Sequence, residues 1–297
     1  MSEQNRKISV IIPAYNEAEV IGKVVTSVVE QSIAYEVIVV DDGSHDETAE
    51  VARQAGARVV RHPYNIGNGA AVKNGIRMAR GDVMVFMDGD GQHDPAEIPA
   101  MLEHLDSYDM VVGTRSRAHQ ASLKRFFGNK IFNLLASYVA KFPIKDLTSG
   151  FRAVKADVAR RFLYLLPNTY SYPTTLTLGV LRSGRRVKYV PIRTRPRRQG
   201  SSNIKVFRDG IRFFLIITKI CVLYSPFRVF LPISFLMFLA GLSRYIYTFI
   251  TVHRFTNMSA LLLITSVLIF MMGLISEQIC QMRYDKAESD QWVELDE

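Results

Sequence analysis

Three carboxylates, an amide and an imidazole crowd into one short stretch, MDGDGQHDP, as Asp88, Asp90, Gln92, His93 and Asp94. It closes the apolar run DVMVFM. Carboxylates this close repel one another and raise each other's pKa unless a cation or a set of donors is supplied. Asp88, Asp90 and Gln92 alternate and offer the hard oxygen ligands that suit Mg²⁺ or Mn²⁺, but too few to close the shell. The remaining positions would go to water or to a substrate diphosphate. A calcium-binding EF-hand loop is excluded, because counting from Asp88 its required glycine and glutamate are His93 and Pro99. Asp94, just before Pro95, reads as a helix cap. His93 reads as a turn residue in preference to a catalyst.

Such a loop needs elements to hold it. The runs Ile8 to Ile12, Glu36 to Val40, Ala57 to Val60, Asp82 to Met87 and Asp109 to Gly113 are continuously aliphatic and of strand length, as expected of strands buried on both faces. Between them Glu17 to Gln31, Asp46 to Gly56, Gly67 to Arg80 and Pro95 to Leu105 carry helical apolar spacing, with start signals at Ser44 and at Asp94–Pro95. The alternation predicts an α/β fold with a mostly parallel sheet. Ligands of such sheets lie beyond the carboxyl ends of the strands. Those ends here read PAYNE, VDDGSHD and MDGDGQHD. In VDDGSHD, Ser44 reads as a helix cap, while Asp42 could accept hydrogen bonds from a base or ribose. NIGNGAAVKNG lacks the third glycine of a dinucleotide fingerprint, and no Walker pattern occurs, so neither a Rossmann dehydrogenase nor a P-loop enzyme is expected.

The 297 residues carry a net charge of +9, unevenly spread. Residues 1–120 hold 11 basic against 18 acidic groups, residues 121–297 hold 26 against 10. The second part should favour anionic partners. In particular Arg185 to Gly200, RRVKYVPIRTRPRRQG, has seven basic residues and no acid, a density suited to phosphates. No RNA platform or DNA-reading motif accompanies it, so nucleic acid is not the expected anion. Cys221 and Cys280 have neither metal-ligand nor disulfide spacing, which fits a reducing compartment. The N-terminus reads as no signal peptide.

Beyond residue 200 the texture changes. Residues 203–222 place Lys205, Arg208, Arg212 and Lys219 on one helical stripe among Ile, Phe, Leu and Val, the pattern of a helix lying in the membrane interface. Two apolar spans follow, about 229–252 and 258–279, inside a predicted hairpin over 228–280 whose turn is HRFTN. Each is long enough to cross a bilayer. Basic residues gather at the hairpin's two ends, against Arg244 and Arg254 near its turn, so the positive-inside rule puts both termini, including an acidic tail at 281–297, in the cytoplasm. Residues 122–141, with Lys124, Arg125 and Lys130 among Phe and Leu, form a further candidate interfacial helix.

In order along the chain, IIPAYNE, VVDDGSHDET, MDGDGQHDP, GTR, DLTSGFR and RRQGSS resemble the motifs of glycosyltransferase family 2 with the GT-A fold. With the interfacial helices and hairpin, the chain is similar to the branch typified by dolichol-phosphate mannose synthase and bacterial polyprenyl-phosphate glycosyltransferases. The resemblance implies a catalytic domain over 1–202 and a hexose moved from a GDP- or UDP-linked donor to polyprenyl phosphate with inversion. Pro13, Tyr15, Glu17 and Asp42 would hold the nucleoside, and Asp88, Asp90 and Gln92 the metal and diphosphate. Arg115 and Arg125 would contact sugar or acceptor phosphate, Asp146 would position sugar or acceptor, and Arg197 and Ser202 would assist the diphosphate. Asn203 stands where the family usually has Lys. Rival readings are a same-fold transferase acting on another lipid or a polysaccharide, and a non-enzymatic membrane scaffold. A homo-oligomer is left open.

Overall fold

In the computed structural model of the chain, residues 6–115, 134, 137, 142–168, 172–193 and 225–293 are described, with Arg115 and residues 283–293 as backbone only. Two compact units divide between Asn203 and Ile204.

The first unit is a seven-stranded sheet. Its strands are β1 (Ile8–Ala14), β2 (Glu36–Asp41), β3 (Arg58–Arg61), β4 (Val83–Phe86), β5 (Met110–Arg115), β6 (Arg152–Lys155) and β7 (Val187–Ile192), in the spatial order β3-β2-β1-β4-β6-β5-β7. All pairings are parallel except those of β6, which runs against both β4 and β5. β1 and β4 are buried along their whole length, as the unbroken aliphatic runs predict for strands covered on both faces. Helices α1 (Ala18–Glu30) and α2 (Thr48–Gln54) cross between the parallel neighbours β1–β2 and β2–β3, while α3 (Asn68–Met78) carries the chain from β3 back past β2 and β1 to β4. Ile21, Val24, Val25 and Val28 of α1 recur at helical spacing and enter the core with Val10, Ile12, Val37, Val39 and Val85.

Sequence and structure part company at three places in this unit. The helix expected over 95–105 is broken into a 3₁₀ turn, a short α4 (Ile98–Leu102) and a second 3₁₀ turn, because Pro99 has no N–H to donate back along the helix. Ser44 does not cap α2. Its Oγ accepts from Asn16 N at 2.9 Å, and the amide and hydroxyl of Thr48 are held by Asp46 instead. The first half of the basic run 185–200 is strand β7, with Arg185 ion-paired to Asp157 and Lys188 lying over the Tyr108 ring, so these charges serve the fold. Between β6 and β7 lie α5 (Ala156–Arg161) and α6 (Tyr172–Arg182). The candidate interfacial helices over 122–141 and 203–222 fall outside the described residues, apart from Leu134 and Ser137.

The second unit is a pair of helices, α7 (Pro226–Val252) and α8 (Asn257–Val293), joined at His253 to Thr256. The chain turns at His253, whose φ of 51° lies in the left-handed region. Small residues let the two backbones approach. Gly273 faces Phe230, Gly241 faces Leu262 and Leu263, and Ser234 Oγ donates to Ser266 O at 2.9 Å. Glu277 Oε2 accepts from Phe227 N at 3.2 Å, which satisfies one of the open amides at the start of α7. Pro226–Val252 and the Asn257–Met282 part of α8 are long and apolar enough to cross a membrane, with mean hydropathies of 1.7 and 2.5. Leu236, Ile250, Leu261 and Ile264 are exposed, so the pair is apolar on its outer faces as well as between them. α8 does not stop near 279. It continues through much of the expected tail to Val293.

Candidate active site

Parallel pairing brings the carboxyl ends of β1, β2 and β4 to one edge of the sheet, and with them the PAYNE, DDGSHD and DGDGQHD loops. The first two loops are stapled together. Asn16, at φ 53°, donates its amide to Ser44 and accepts His45 N on Oδ1 at 2.9 Å, while Glu17 N donates to Thr48 Oγ1 at 2.8 Å and Ala18 N to Asp46 Oδ2 at 3.2 Å. Burial works against the Asp46 carboxylate, yet the donors from Thr48 and Ala18 hold its pKa below the ordinary value. Pro13 is buried in β1, whereas Tyr15 is 39% exposed and its ring meets that of His45 in an edge-to-face contact.

Asp42 is only 3% exposed and organises the neighbouring loop. Its Oδ1 takes His62 Nδ1 at 2.7 Å and Ile66 N at 2.9 Å, and its Oδ2 takes Gly67 N at 2.8 Å. Arg77 donates to Asn74 Oδ1, which turns the Asn74 amide nitrogen toward His62 Nε2 at 2.6 Å. His62 therefore accepts at Nε2 and donates from Nδ1, a neutral tautomer that anchors Asp42. Three donors leave one of the carboxylate's roughly four lone-pair positions for a ligand.

At the end of β4 the antiparallel partner matters most. Phe86 pairs with Arg152, which places Gly150 opposite Asp88 two residues further out. A Cβ at position 150 would fall 2.5 Å from Asp88 Oδ2 and 2.9 Å from its Cγ, so the carboxylate lies against bare backbone. Asp90 Oδ1 accepts Gln92 N at 3.1 Å across a turn that Gly91 makes at φ 72°, and Asp94 caps the following turn through Ala96 N. His93 is 7% exposed and stacks on Phe151 at 5.1 Å. Asp146 Oδ1 accepts Thr148 N, Thr148 Oγ1 and Ser149 N, each at 3.1 Å, and so shapes the loop that leads to Gly150.

Sequence reasoning quoted DLTSGFR without assigning its arginine a role. Arg152 is completely buried and joins three segments, with Nη1 donating to Pro173 O at 2.8 Å and Thr177 Oγ1 at 3.1 Å, and Nη2 to Ser149 O. Burial pushes its pKa down, and Tyr172, Tyr189, Asp146 and Asp88 push back. Tyr172 is itself driven up, first by burial and then by Asp88, and stays neutral. The signal available in sequence was an Arg set between Phe151 and the apolar pair Ala153–Val154.

Backbone pairing of β5 with β7 puts Arg115 opposite Ile192 at this same edge. Arg125, Arg197 and Ser202 lie outside the described residues. Among the described residues no three His, Cys, Asp or Glu side chains converge on one point. The donor set that fits a divalent cation is therefore partial: the Asp88 and Asp90 carboxylates and the Gln92 amide, all hard oxygens, with the Gly150 cradle keeping Asp88 in place.

The glycosyl transferase family 2 model matches residues 9–163, a span that holds every loop just described up to Arg152. The chain belongs to that family. It is a glycosyltransferase, and a second model, the GtrB C-terminal hairpin, matches residues 225–282. Among relatives, glycosyltransferase AglJ of Haloferax volcanii is 28% identical over 81% of this chain and 80% of its own length. The undecaprenyl-phosphate 4-deoxy-4-formamido-L-arabinose transferase of Salmonella choleraesuis is 28% identical over 80% of this chain and 74% of its own. The fold is that of the GT-A transferases. Glucosyl-3-phosphoglycerate synthase from Mycobacterium tuberculosis, solved with Mn²⁺, UDP and glucosyl-3-phosphoglycerate, aligns with a TM-score of 0.59 at 22% identity, covering 74% of this chain and 80% of that one.

Proposed function

We propose that this glycosyltransferase moves a hexose from a nucleoside-diphosphate donor to a polyprenyl phosphate at the cytoplasmic face of a membrane. The observation that carries the reading is the meeting, at one sheet edge, of a stapled nucleoside loop and the Asp88–Asp90–Gln92 oxygens, in a chain that ends in an apolar hairpin. Relatives named for undecaprenyl phosphate, and a solved neighbour that holds UDP with Mn²⁺, support it.

On this reading Tyr15 offers its exposed ring to the base, with Pro13 and Glu17 alongside and Asp42 accepting through its remaining lone pair. A Mg²⁺ or Mn²⁺ ion on Asp88, Asp90 and Gln92 would neutralise charge on the departing diphosphate. Arg197 and Ser202 assist from the basic segment. The acceptor, a phosphate monoester with a second pKa near ~6, is already largely ionised at neutral pH and attacks without a strong base. Asp146 fits that chemistry as a positioning group, because three donors on one oxygen fix its carboxylate within the loop that leads to Gly150. Arg115 and Arg125 hold the acceptor phosphate. Single displacement inverts the anomeric carbon. The hairpin keeps the enzyme where the isoprenoid lies, since extracting that tail costs about 0.8 kcal/mol per CH₂. Basic residues at the hairpin's ends set both termini in the cytoplasm.

The test is transfer by the purified full chain, with polyprenyl phosphate, Mg²⁺ or Mn²⁺, and radiolabelled UDP- and GDP-sugars. Label entering an organic-extractable, mild-acid-labile lipid is the expected result. Label entering only glycan or a different lipid makes it a same-fold transferase of another acceptor, and no turnover with any donor favours a scaffold.

A further inference from the structure

We infer that His93 is a positioning residue for the donor site: its Nδ1–H closes onto Asp88 and holds that carboxylate in the orientation that grips a metal-bound nucleoside diphosphate. The inference rests on the donor-site reading above. Four observations carry it. The His93 ring is nearly inaccessible and lies flat on Phe151, with an interplanar angle of 18°, so it cannot swing. Its Nδ1 is buried and finds no hydrogen-bond partner among the described residues, a costly state for a polar atom unless some state of the protein satisfies it. The group it faces is Asp88 Oδ2, 3.9 Å away, beyond hydrogen-bond reach by less than an ångström. The Asp88 side chain is 34% exposed against 6% for His93, so a change in the carboxylate's rotamer, within the limit the Gly150 backbone sets, closes the gap more readily than a shift of the packed ring.

A carboxylate that ligates a cation through one oxygen is oriented by a donor on the other, and losing such outer partners typically costs about 10–100-fold in metal affinity. Here the Gly150 backbone limits Asp88 on one side, and the fixed imidazole stands on another. A turn residue would need neither the stacking nor a buried nitrogen aimed at a ligand.

Two substitutions separate this role from simple packing. His93→Phe preserves the ring on Phe151 and removes the donor. His93→Asn loses the ring and retains an N–H near the place of Nδ1. The measurement is Mn²⁺ binding to the detergent-solubilised full chain in the presence of UDP or GDP, followed by the electron paramagnetic resonance of free Mn²⁺, with thermal melts as a check on folding. The expected result is affinity weakened about 10-fold or more in His93→Phe and largely restored in His93→Asn. Wild-type affinity in a folded His93→Phe, or loss only in His93→Asn, overturns the inference and leaves the donor site standing. Failure of the wild-type protein to bind Mn²⁺ with either nucleotide overturns the donor-site reading and this inference with it.

Discussion

Arg152 shows how a single residue can be structural and still decide where the chemistry sits. A buried guanidinium with three neutral acceptors is tolerated only if carboxylates share its environment, and Asp146 and Asp88 are the two that do. Its donors tie the Ser149 carbonyl to the start of α6, so the loop that presents Gly150 to Asp88 is held from below. Arg152→Met is expected to lower stability by on the order of 3 kcal/mol, because it strands Ser149 O, loosens the tie to α6 and removes the counter-charge. Urea unfolding of the detergent-solubilised full chain, followed by the loss of strand circular dichroism, measures this. Arg152→Lys should recover only part of it, since one ammonium cannot reproduce a fork that spans three acceptors.

At the scale of elements, the antiparallel β6 is what completes the site. Its amino end enters at the edge where the parallel strands finish, and only a glycine at position 150 leaves space for the Asp88 carboxylate. Gly150→Ala is expected to displace Asp88 and weaken transfer at least ~100-fold with a near-normal melting temperature, a split that activity and thermal denaturation together would reveal. The opposite edge is pinned by Asp109, whose Oδ2 accepts Arg186 N at 2.8 Å and whose Oδ1 meets Lys155 Nζ at 3.1 Å, which joins the starts of β5 and β7 to the end of β6. Burial opposes ionisation there, yet the Arg186 amide, Lys155 and Arg185 hold the Asp109 pKa below its ordinary value. A depressed carboxylate pKa contributes stability that is present above the unfolded value, near ~4, and is lost as pH falls through the folded value. The stability difference between wild type and Asp109→Asn should therefore be full at neutral pH and shrink below pH ~4, as followed by urea midpoints across that range.

For the whole molecule, the two units have different solvents. The sheet unit buries its aliphatic strands under helices, while the helix pair turns leucine, isoleucine and phenylalanine outward along both members. An apolar surface of that extent on both helices calls for an apolar partner, and the two lengths suit the hydrocarbon core of a bilayer. The full chain should remain in the membrane fraction after an alkaline carbonate wash that strips peripheral proteins, and should need detergent for release. Recovery in the carbonate supernatant would place the hairpin on the surface of the bilayer instead.

Much of this protein was legible in its residues alone. Strands covered on both faces must be aliphatic without interruption, so β1, β2 and β4 and the crossovers between them could be read from local pattern, and with them the edge where PAYNE, DDGSHD and DGDGQHD had to meet. The two long apolar helices were legible for the same reason, since their side chains are apolar on nearly every face. What local pattern cannot carry is the partner a polar side chain finds across the fold. Only the tertiary structure turned Ser44 toward Asn16, gave Asp42 to the 62–67 loop, set β6 antiparallel so that Gly150 backs Asp88, and buried Arg152 and His93. Hydrogen bonds and charge pairs are settled by distances between residues remote in sequence, whereas burial of apolar surface leaves its periodicity in the chain itself.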